Sequence, residues 1–192
     1  SNMDLDRLIA CTSMEEFITA LKGNEFYLPL SQIQNHESAL LFDYGMVLDL
    51  YYFTQIWNVR KKLFSGNDLK QITHAYGEKF DMLNLQFIFR SKRYFHMAPA
   101  DIYALLIPMN YKLKKEEINT LVEAASYEEA RPLFRKTYYG KKYEHLAAHN
   151  LEEFYNCMLR STLEKEARRD PYSVALLYSY CLLYTSDAAD DM

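Results

Sequence analysis

Apolar residues recur at helical spacing along most of the chain, and the clearest stripe runs between residues 37 and 64. Its large side chains follow one another at steps of four, four, three and four, which return to one face of an α-helix. They are Phe42, Met46, Leu50, Phe53 and Trp57. Because no proline interrupts the stretch, the pattern predicts one long helix from Glu37 to Phe64.

The N-terminal part predicts a short helix with a defined start and end. Ser13 and Glu16 have capping-box spacing, in which each side chain bonds the other residue's backbone N–H, and Gly23 suits a C-terminal cap. The apolar residues that this helix would bury are Phe17, Ala20 and Leu21. Pro29 then predicts a polar loop.

The segment after the long helix predicts two helices separated at a glycine. A break at residues 65–68 precedes a short helix from Leu69 to Tyr76. That helix is expected to end at Gly77, and a strongly apolar helix should run from Phe80 to Phe95.

The C-terminal half predicts further helices and no strand, so the fold class expected from the pattern is all-α. The expected elements are a short helix from Ala98 to near Pro108, a helix from Lys114 to Ala125, a capped helix after Ser126, a long helix from Leu151 to Arg168 and a last helix beginning at Pro171.

An internal similarity appears when the chain is shifted by 113 residues. The second capping box then lies on the first, with matching apolar positions after it. The paired residues are Ser13 with Ser126, Glu16 with Glu129, Leu21 with Phe134, and Phe26 with Tyr139. A period this long exceeds a solenoid unit, so the similarity predicts duplicated helical domains.

Composition agrees with a helical protein and excludes several classes. The chain has 192 residues, of which only five are Gly and five Pro, too few for the many turns of a β-sandwich or barrel. Aromatic residues make up 15%, which supplies large cores. The net charge of −4 gives no overall basic field for nucleic acid. Cys11, Cys157 and Cys181 lack the spacing of a disulfide framework or metal knuckle.

The apolar helix predicted from Phe80 to Phe95 carries the main candidate chemistry. Asp81, Asn84 and Lys92 fall on one of its faces, and Arg90 belongs to a second polar line. A buried acid needs hydrogen bonds or a cation to offset its desolvation. The favoured interpretation is a structural polar network of these four residues, and the alternative is a general acid or base at Asp81.

Other candidate sites have simpler explanations. His145 and His149 are four residues apart, but Leu146 stands where a zinc protease needs Glu, and no third ligand is near. Acidic pairs and basic clusters with tyrosines occur near predicted helix ends, where they complement the helix dipole. No glycine-rich phosphate loop occurs in the sequence, which has only five widely spaced glycines. The sequence therefore predicts no catalytic residue, no metal, no cofactor and no nucleic-acid partner.

Four segments resemble one known family. They are Leu48–Phe53, Asp81–Leu85 with Arg90–Lys92, Leu105–Leu113, and Ala124–Glu129 with Thr137–Tyr139. Over roughly residues 3–180 their order and spacing resemble the C subunit of bacterial and archaeal V/A-type ATPases, the counterpart of eukaryotic V-ATPase subunit d.

The resemblance implies three similar helical domains arranged as a funnel, in members about twice as long as this chain. Residues 1–36 would then end the first repeat, 37–144 would form a complete second repeat, and 145–180 would begin the third. Residues 181–192 resemble a translated sequencing adapter, so we expect a non-native tail there. Without that tail the charges are 22 basic and 23 acidic, a net of −1.

The function that the resemblance implies is mechanical. Such a subunit is a non-catalytic socket that couples the central stalk to the membrane ring carrying protons or sodium ions, without spanning the membrane itself. It would lie peripherally at the cytoplasmic face. Two other hypotheses stay open, a stand-alone helical adaptor or regulatory protein and an unrecognised enzyme using Asp81 or His145 with His149.

Overall fold

The computed structural model of the chain describes residues 4–33 and 41–142 and five later positions, 160, 161, 164, 165 and 168. Every regular element within these residues is a helix, which confirms the all-α prediction. The chain divides into two compact units, Ser1–Ile56 and Trp57–Met192.

The first unit contains three short helices, α1 (Leu5–Ile9), α2 (Met14–Ala20) and α3 (Tyr27–Ile33), and the greater part of α4 (Leu41–Leu63). The Asp4 and Ser13 side chains cap the starts of α1 and α2, because the first N–H groups of a helix have no partner within it. The small core of this unit consists of Ile18, Leu21, Leu30 and Tyr44.

Two details of the first unit differ from the sequence-based expectation. Pro29 lies inside α3 rather than in a loop, because it occupies the first turn, where a missing N–H costs no helical hydrogen bond. In α2 the most deeply buried side chain is Ile18, while Phe17 and Ala20 are only partly buried.

The second unit is built around α5, which runs without interruption from Gly66 to Arg90 and continues into a π-helical turn, Ser91–Phe95. The predicted division at Gly77 is therefore wrong. Gly77 is a mid-helix residue against which the Tyr111 side chain packs, and a Cβ there would overlap the base of that ring. The glycine allows close approach of a neighbouring segment rather than ending the helix.

Four more helices surround α5, namely α6 (Pro99–Leu105), α7 (Lys115–Glu123), α8 (Tyr127–Phe134) and α9 (Tyr138–Lys142). They bury one apolar core with the second half of α5. Its members are Met82, Leu85, Ile88, Phe89, Ile102, Leu113, Ile118, Leu121, Val122, Ala130, Phe134 and Tyr139.

Both predicted serine caps form with closely similar geometry, but in each of them the Glu side chain accepts from the N–H of the residue before the serine rather than from the serine's own N–H. The Ser13 and Ser126 hydroxyls each accept a hydrogen bond of 3.2 Å, from Glu16 N–H and Glu129 N–H. In return Glu16 Oε2 accepts from Thr12 N–H at 2.9 Å, and Glu129 Oε2 accepts from the N–H of the residue before Ser126 at 3.0 Å. The two segments related by the 113-residue shift thus share local structure as well as sequence.

Several predictions fall outside the described residues. The helix from Leu151 to Arg168 is described at five positions only, all of them helical, and the helix beginning at Pro171 is not described. The boundaries of the three repeats, at 1–36, 37–144 and 145–180, stay predictions.

Gly77→Ala should lower the free energy of unfolding by about 1–3 kcal/mol, because the added methyl group overlaps the Tyr111 ring. Gly45→Ala in α4 is the matched control, since no atom outside its own helix lies within 4 Å of the added Cβ. The control should gain roughly 0.5–1 kcal/mol from helix propensity. Urea unfolding followed by circular dichroism measures both, and equal effects at the two glycines would contradict the packing role of Gly77.

The Glu16 capping bond predicts a pH dependence. The backbone N–H of Thr12 lowers the pKa of Glu16 from its ordinary value of 4.5. The ionised side chain therefore stabilises the folded chain above that value, and the contribution is lost as pH falls through the lowered folded-state pKa. Wild type should be more stable than Glu16→Gln at neutral pH, and denaturant titrations should show the difference shrinking in acid. A difference independent of pH would argue against this role.

Candidate functional site

The Asp81 carboxylate on α5 is the centre of the polar site. Its side chain is fully buried and accepts four hydrogen bonds. Oδ1 accepts from Tyr111 N–H at 2.9 Å, and Oδ2 accepts from Lys112 N–H at 2.6 Å and Leu113 N–H at 2.9 Å. The Tyr139 hydroxyl donates to the same Oδ2 at 2.7 Å. One side chain thus joins α5 to the loop before α7 and to α9.

Burial and hydrogen bonding act on Asp81 in opposite directions. Burial raises the pKa of the Asp81 carboxyl, while the backbone donors of Tyr111, Leu113 and Lys112 and the Tyr139 hydroxyl oppose that rise. Burial and the neighbouring carboxylate also raise the pKa of Tyr139 far above its usual range, so its hydroxyl remains a donor. All four partners donate, which is the arrangement that an ionised carboxylate requires.

Asn84, one helical turn after Asp81, holds the start of the same loop. Its Nδ2 donates to the Ile107 carbonyl at 3.0 Å, and its Oδ1 accepts from Ile107 N–H at 2.8 Å. The side-chain amide therefore satisfies both backbone groups of one buried residue. Asp81 and Asn84 together fix the loop from Ile107 to Leu113 on one face of α5.

Lys92 lies in the π-helical turn and holds a different connection. Its Nζ donates to the Val122 carbonyl at 2.7 Å and to the Ala124 carbonyl. These oxygens belong to the C-terminal end of α7, where a cation complements the helix dipole. Burial lowers the pKa of Lys92, and Glu123 and Glu129 oppose that shift.

The fourth residue of the predicted network has a different position. Arg90 is exposed at the last residue of α5, and it is not among the four donors to Asp81. The structure therefore brings Asp81 and Asn84 to one loop, Lys92 to the connection between α7 and α8, and Arg90 to the surface. His145 and His149 lie outside the described residues.

A second polar group extends the site along α5. Glu78 is fully buried, with its Oε1 3.2 Å from Lys142 Nζ on α9 and 3.9 Å from His74 Nε2. His74 Nδ1 lies 3.3 Å from the Tyr111 hydroxyl. The loop is thus attached to α5 through Asp81, Asn84 and His74, and α9 is attached through Asp81 and Glu78.

Sequence reasoning did not identify Tyr139 as a partner of Asp81. A signal was present in the repeat, because Tyr139 is paired with Phe26 and differs from it by the hydroxyl that bonds Asp81. A tight turn positions the ring, since Thr137 Oγ1 donates to the Phe134 carbonyl and accepts from Gly140 N–H. A Cβ at Gly140 would overlap the backbone of that turn.

The surroundings of Asp81 are those of a structural carboxylate. Its oxygens already accept from four protein groups, and the side chain has no exposed surface. Among the described residues, no group of three or more His, Cys, Asp or Glu side chains is placed to hold a metal ion. Arg60, which belongs to one of the basic clusters, has a structural role. Its guanidinium carbon lies 3.4 Å from the Trp57 ring centroid, and its Nε donates a hydrogen bond to the Thr73 hydroxyl.

Two substitutions test the Asp81 centre. Tyr139→Phe removes one hydrogen bond to a charged group and should lower the free energy of unfolding by about 1.5–3 kcal/mol. Asp81→Asn places an amide NH2 group, itself a donor, among the donors that surround this position, and it should lower the free energy of unfolding by at least about 2 kcal/mol. The double variant should lose less than the sum, because both changes remove the same bond.

The matched control is Tyr52→Phe, at a residue that is 56% exposed on α4. Its effect should stay within about 0.5 kcal/mol. Urea denaturation of wild type, the two single variants and the double variant supplies the thermodynamic cycle, and Tyr52→Phe is measured beside them. Strict additivity of the two single losses would show that Tyr139 and Asp81 act independently.

Comparison with known proteins places this structure in a family. Searches of curated proteins and of solved structures gave no match. The family model of the ATP synthase (C/AC39) subunit matches residues 1–189. That range enters the segment 181–192, so the non-native origin of the tail stays a prediction. No helix among the described residues combines the length and the apolar character needed to cross a membrane. The match covers nearly the whole chain, and the chain therefore belongs to the ATP synthase (C/AC39) subunit family.

Proposed function

We propose that this chain is a non-catalytic rotor subunit of a V/A-type ATPase, a socket that couples the central stalk to the membrane ring carrying protons or sodium ions. Membership of the ATP synthase (C/AC39) subunit family supports a place in such a complex. The observation that carries the mechanical part of the proposal is the closed hydrogen-bond centre at Asp81.

A part that transmits torque must resist deformation between its two attachment points. Loops are usually the segments that open first, because their backbone groups bond to water rather than to the protein. Here Asp81 and Asn84 hold the loop before α7, and Lys92 holds the link before α8. These bonds make the connections of the second unit part of its rigid body.

We propose a scaffolding role for Asp81, Asn84 and Lys92, since their polar atoms are committed to backbone groups of neighbouring segments. Repeated helical domains fit the same role, because the equivalent serine caps at Ser13 and Ser126 give two segments the same local structure. In this proposal the subunit lies peripherally at the cytoplasmic face and binds the stalk and the ring with different surfaces.

The proposal predicts binding to two classes of rotor component. Tagged chain, mixed separately with purified central-stalk subunits and with the purified membrane ring, should retain both. When it is added to complexes depleted of this subunit, ion transport driven by ATP should recover. Loss of both binding interactions would refute the proposal, and capture only of proteins outside the ATPase would favour the stand-alone adaptor.

Tyr139→Phe and Tyr52→Phe provide the mechanical comparison in the same reconstitution. If rigidity of the second unit matters, Tyr139→Phe should retain both partners yet transport fewer ions for each ATP hydrolysed. Tyr52→Phe should match wild type. An unchanged ratio in Tyr139→Phe, together with its expected loss of stability, would mean that the Asp81 centre serves folding alone.

A further inference from the structure

The end of α5 and the π-helical turn present an unusual group of exposed residues. Tyr94 is 60% exposed and Phe95 65% exposed, and the neighbouring Arg90, Arg93 and His96 are exposed as well. We call these five residues the π-turn surface. Aromatic residues and arginine are the types enriched where proteins bind one another, and they supply most binding hot spots.

The backbone beneath this surface is firmly held. Ser91 and Lys92, at the start of the π-helical turn, are buried, and Lys92 bonds the end of α7. After the turn His96 has a left-handed backbone with φ 49°, and the N–H of Met97 returns to the Ser91 carbonyl at 3.2 Å. Tyr94 and Phe95 are therefore displayed on a fixed platform, which reduces the ordering cost of binding. π-Helical turns within long helices are frequent at functional sites.

The charge of the segment favours an acidic partner. From Met82 to Ala100 the sequence contains no Asp or Glu, while it contains Arg90, Lys92 and Arg93. The Arg93 guanidinium lies 5.2 Å from the Tyr94 ring centroid and 5.2 Å from that of Tyr127.

A second guanidinium and a cleft adjoin this surface. Arg131 lies 6.0 Å from the Tyr127 ring centroid, so two cationic groups flank one aromatic ring. Beside them opens a cleft of about 340 Å³, lined in part by Arg93 and His96. Burial raises the pKa of the Tyr103 hydroxyl, and the Glu123 carboxylate, which lines the same cleft, raises it further. Glu128 also lines the cleft, so the positive charge is concentrated on its π-turn side.

We infer that the π-turn surface is a docking site for an acidic protein segment, one that presents Asp or Glu carboxylates beside apolar side chains. A carboxylate would pair with Arg93, whose planar guanidinium suits two-point recognition. The apolar side chains of the segment would cover Tyr94 and Phe95. The inference rests on the proposed function, in which the segment belongs to a central-stalk or ring subunit.

The experiment measures binding of the full chain to purified central-stalk subunits and to the purified membrane ring. Arg93→Glu and the double variant Tyr94→Ala/Phe95→Ala should each weaken binding to one of these partners by roughly tenfold or more, the loss typical of a hot spot. For wild type, that binding should also weaken with added salt, while Arg93→Glu should lose most of this salt dependence.

Matched controls test whether weaker binding comes from loss of this surface or from any change of charge or any loss of an exposed aromatic ring. Lys115→Glu makes the same change of charge at an exposed position on α7, and Tyr52→Ala removes an equally exposed ring from α4. Both should bind within about twofold of wild type, in line with near-neutral residues outside a hot spot. Circular dichroism verifies that every variant is folded. A photo-crosslinking amino acid at position 95 should label a partner segment rich in Asp or Glu.

Each other outcome overturns the inference in a distinct way. If wild type binds neither stalk nor ring, the proposed function fails and the docking site fails with it. If wild type binds and the Arg93 and aromatic variants bind equally well, only the docking site fails. A second arm measures binding of the chain to vesicles that contain 30% phosphatidylserine. If wild type binds these vesicles but no stalk or ring subunit, and the Arg93 and aromatic variants lose the vesicle binding, the surface is a site for anionic lipid and not for a protein segment.

Discussion

The second unit depends on a single buried charge whose hydrogen bonds come from the backbone of another segment. Asp81 accepts from three consecutive N–H groups, those of residues 111–113, and from the Tyr139 hydroxyl. An isolated buried carboxylate would be strongly destabilising, so this carboxylate requires a loop conformation in which three N–H groups point inward and a position of α9 that brings the Tyr139 hydroxyl to Oδ2. The fold of the loop and the position of α9 follow from that requirement.

The loop before α7 can lie close to α5 only where the helix presents a surface without a side chain. Gly77 supplies it, since the Tyr111 side chain occupies the space that a Cβ would take. Asn84 then satisfies both backbone groups of Ile107, and Lys92 bonds two carbonyls at the end of α7. One face of a single helix thus organises the connections of the unit, while Tyr94 and Phe95 beyond it remain exposed.

Local patterns predicted the parts of the fold that local physics decides. The serine caps at Ser13 and Ser126 form as expected, because the bonds involved connect residues only three positions apart. The helical spacing of α4 and the shared face of Asp81 and Asn84 are likewise properties of one helix. The helix end predicted at Gly77 is wrong, because a glycine that ends a helix and a glycine that allows close packing of a neighbouring segment look the same in a sequence.

By itself the sequence determined the helical class, the starts of α2, α6, α7 and α8, the 113-residue similarity and the presence of a buried polar face on α5. Only the tertiary structure decided which donors satisfy that face. Tyr139 and Asp81 are 58 residues apart, and no periodicity connects them. Their pairing depends on how α9 and the loop fold back onto α5. A buried polar group needs a hydrogen-bond partner to offset its desolvation, and the packing decides which partner lies within reach.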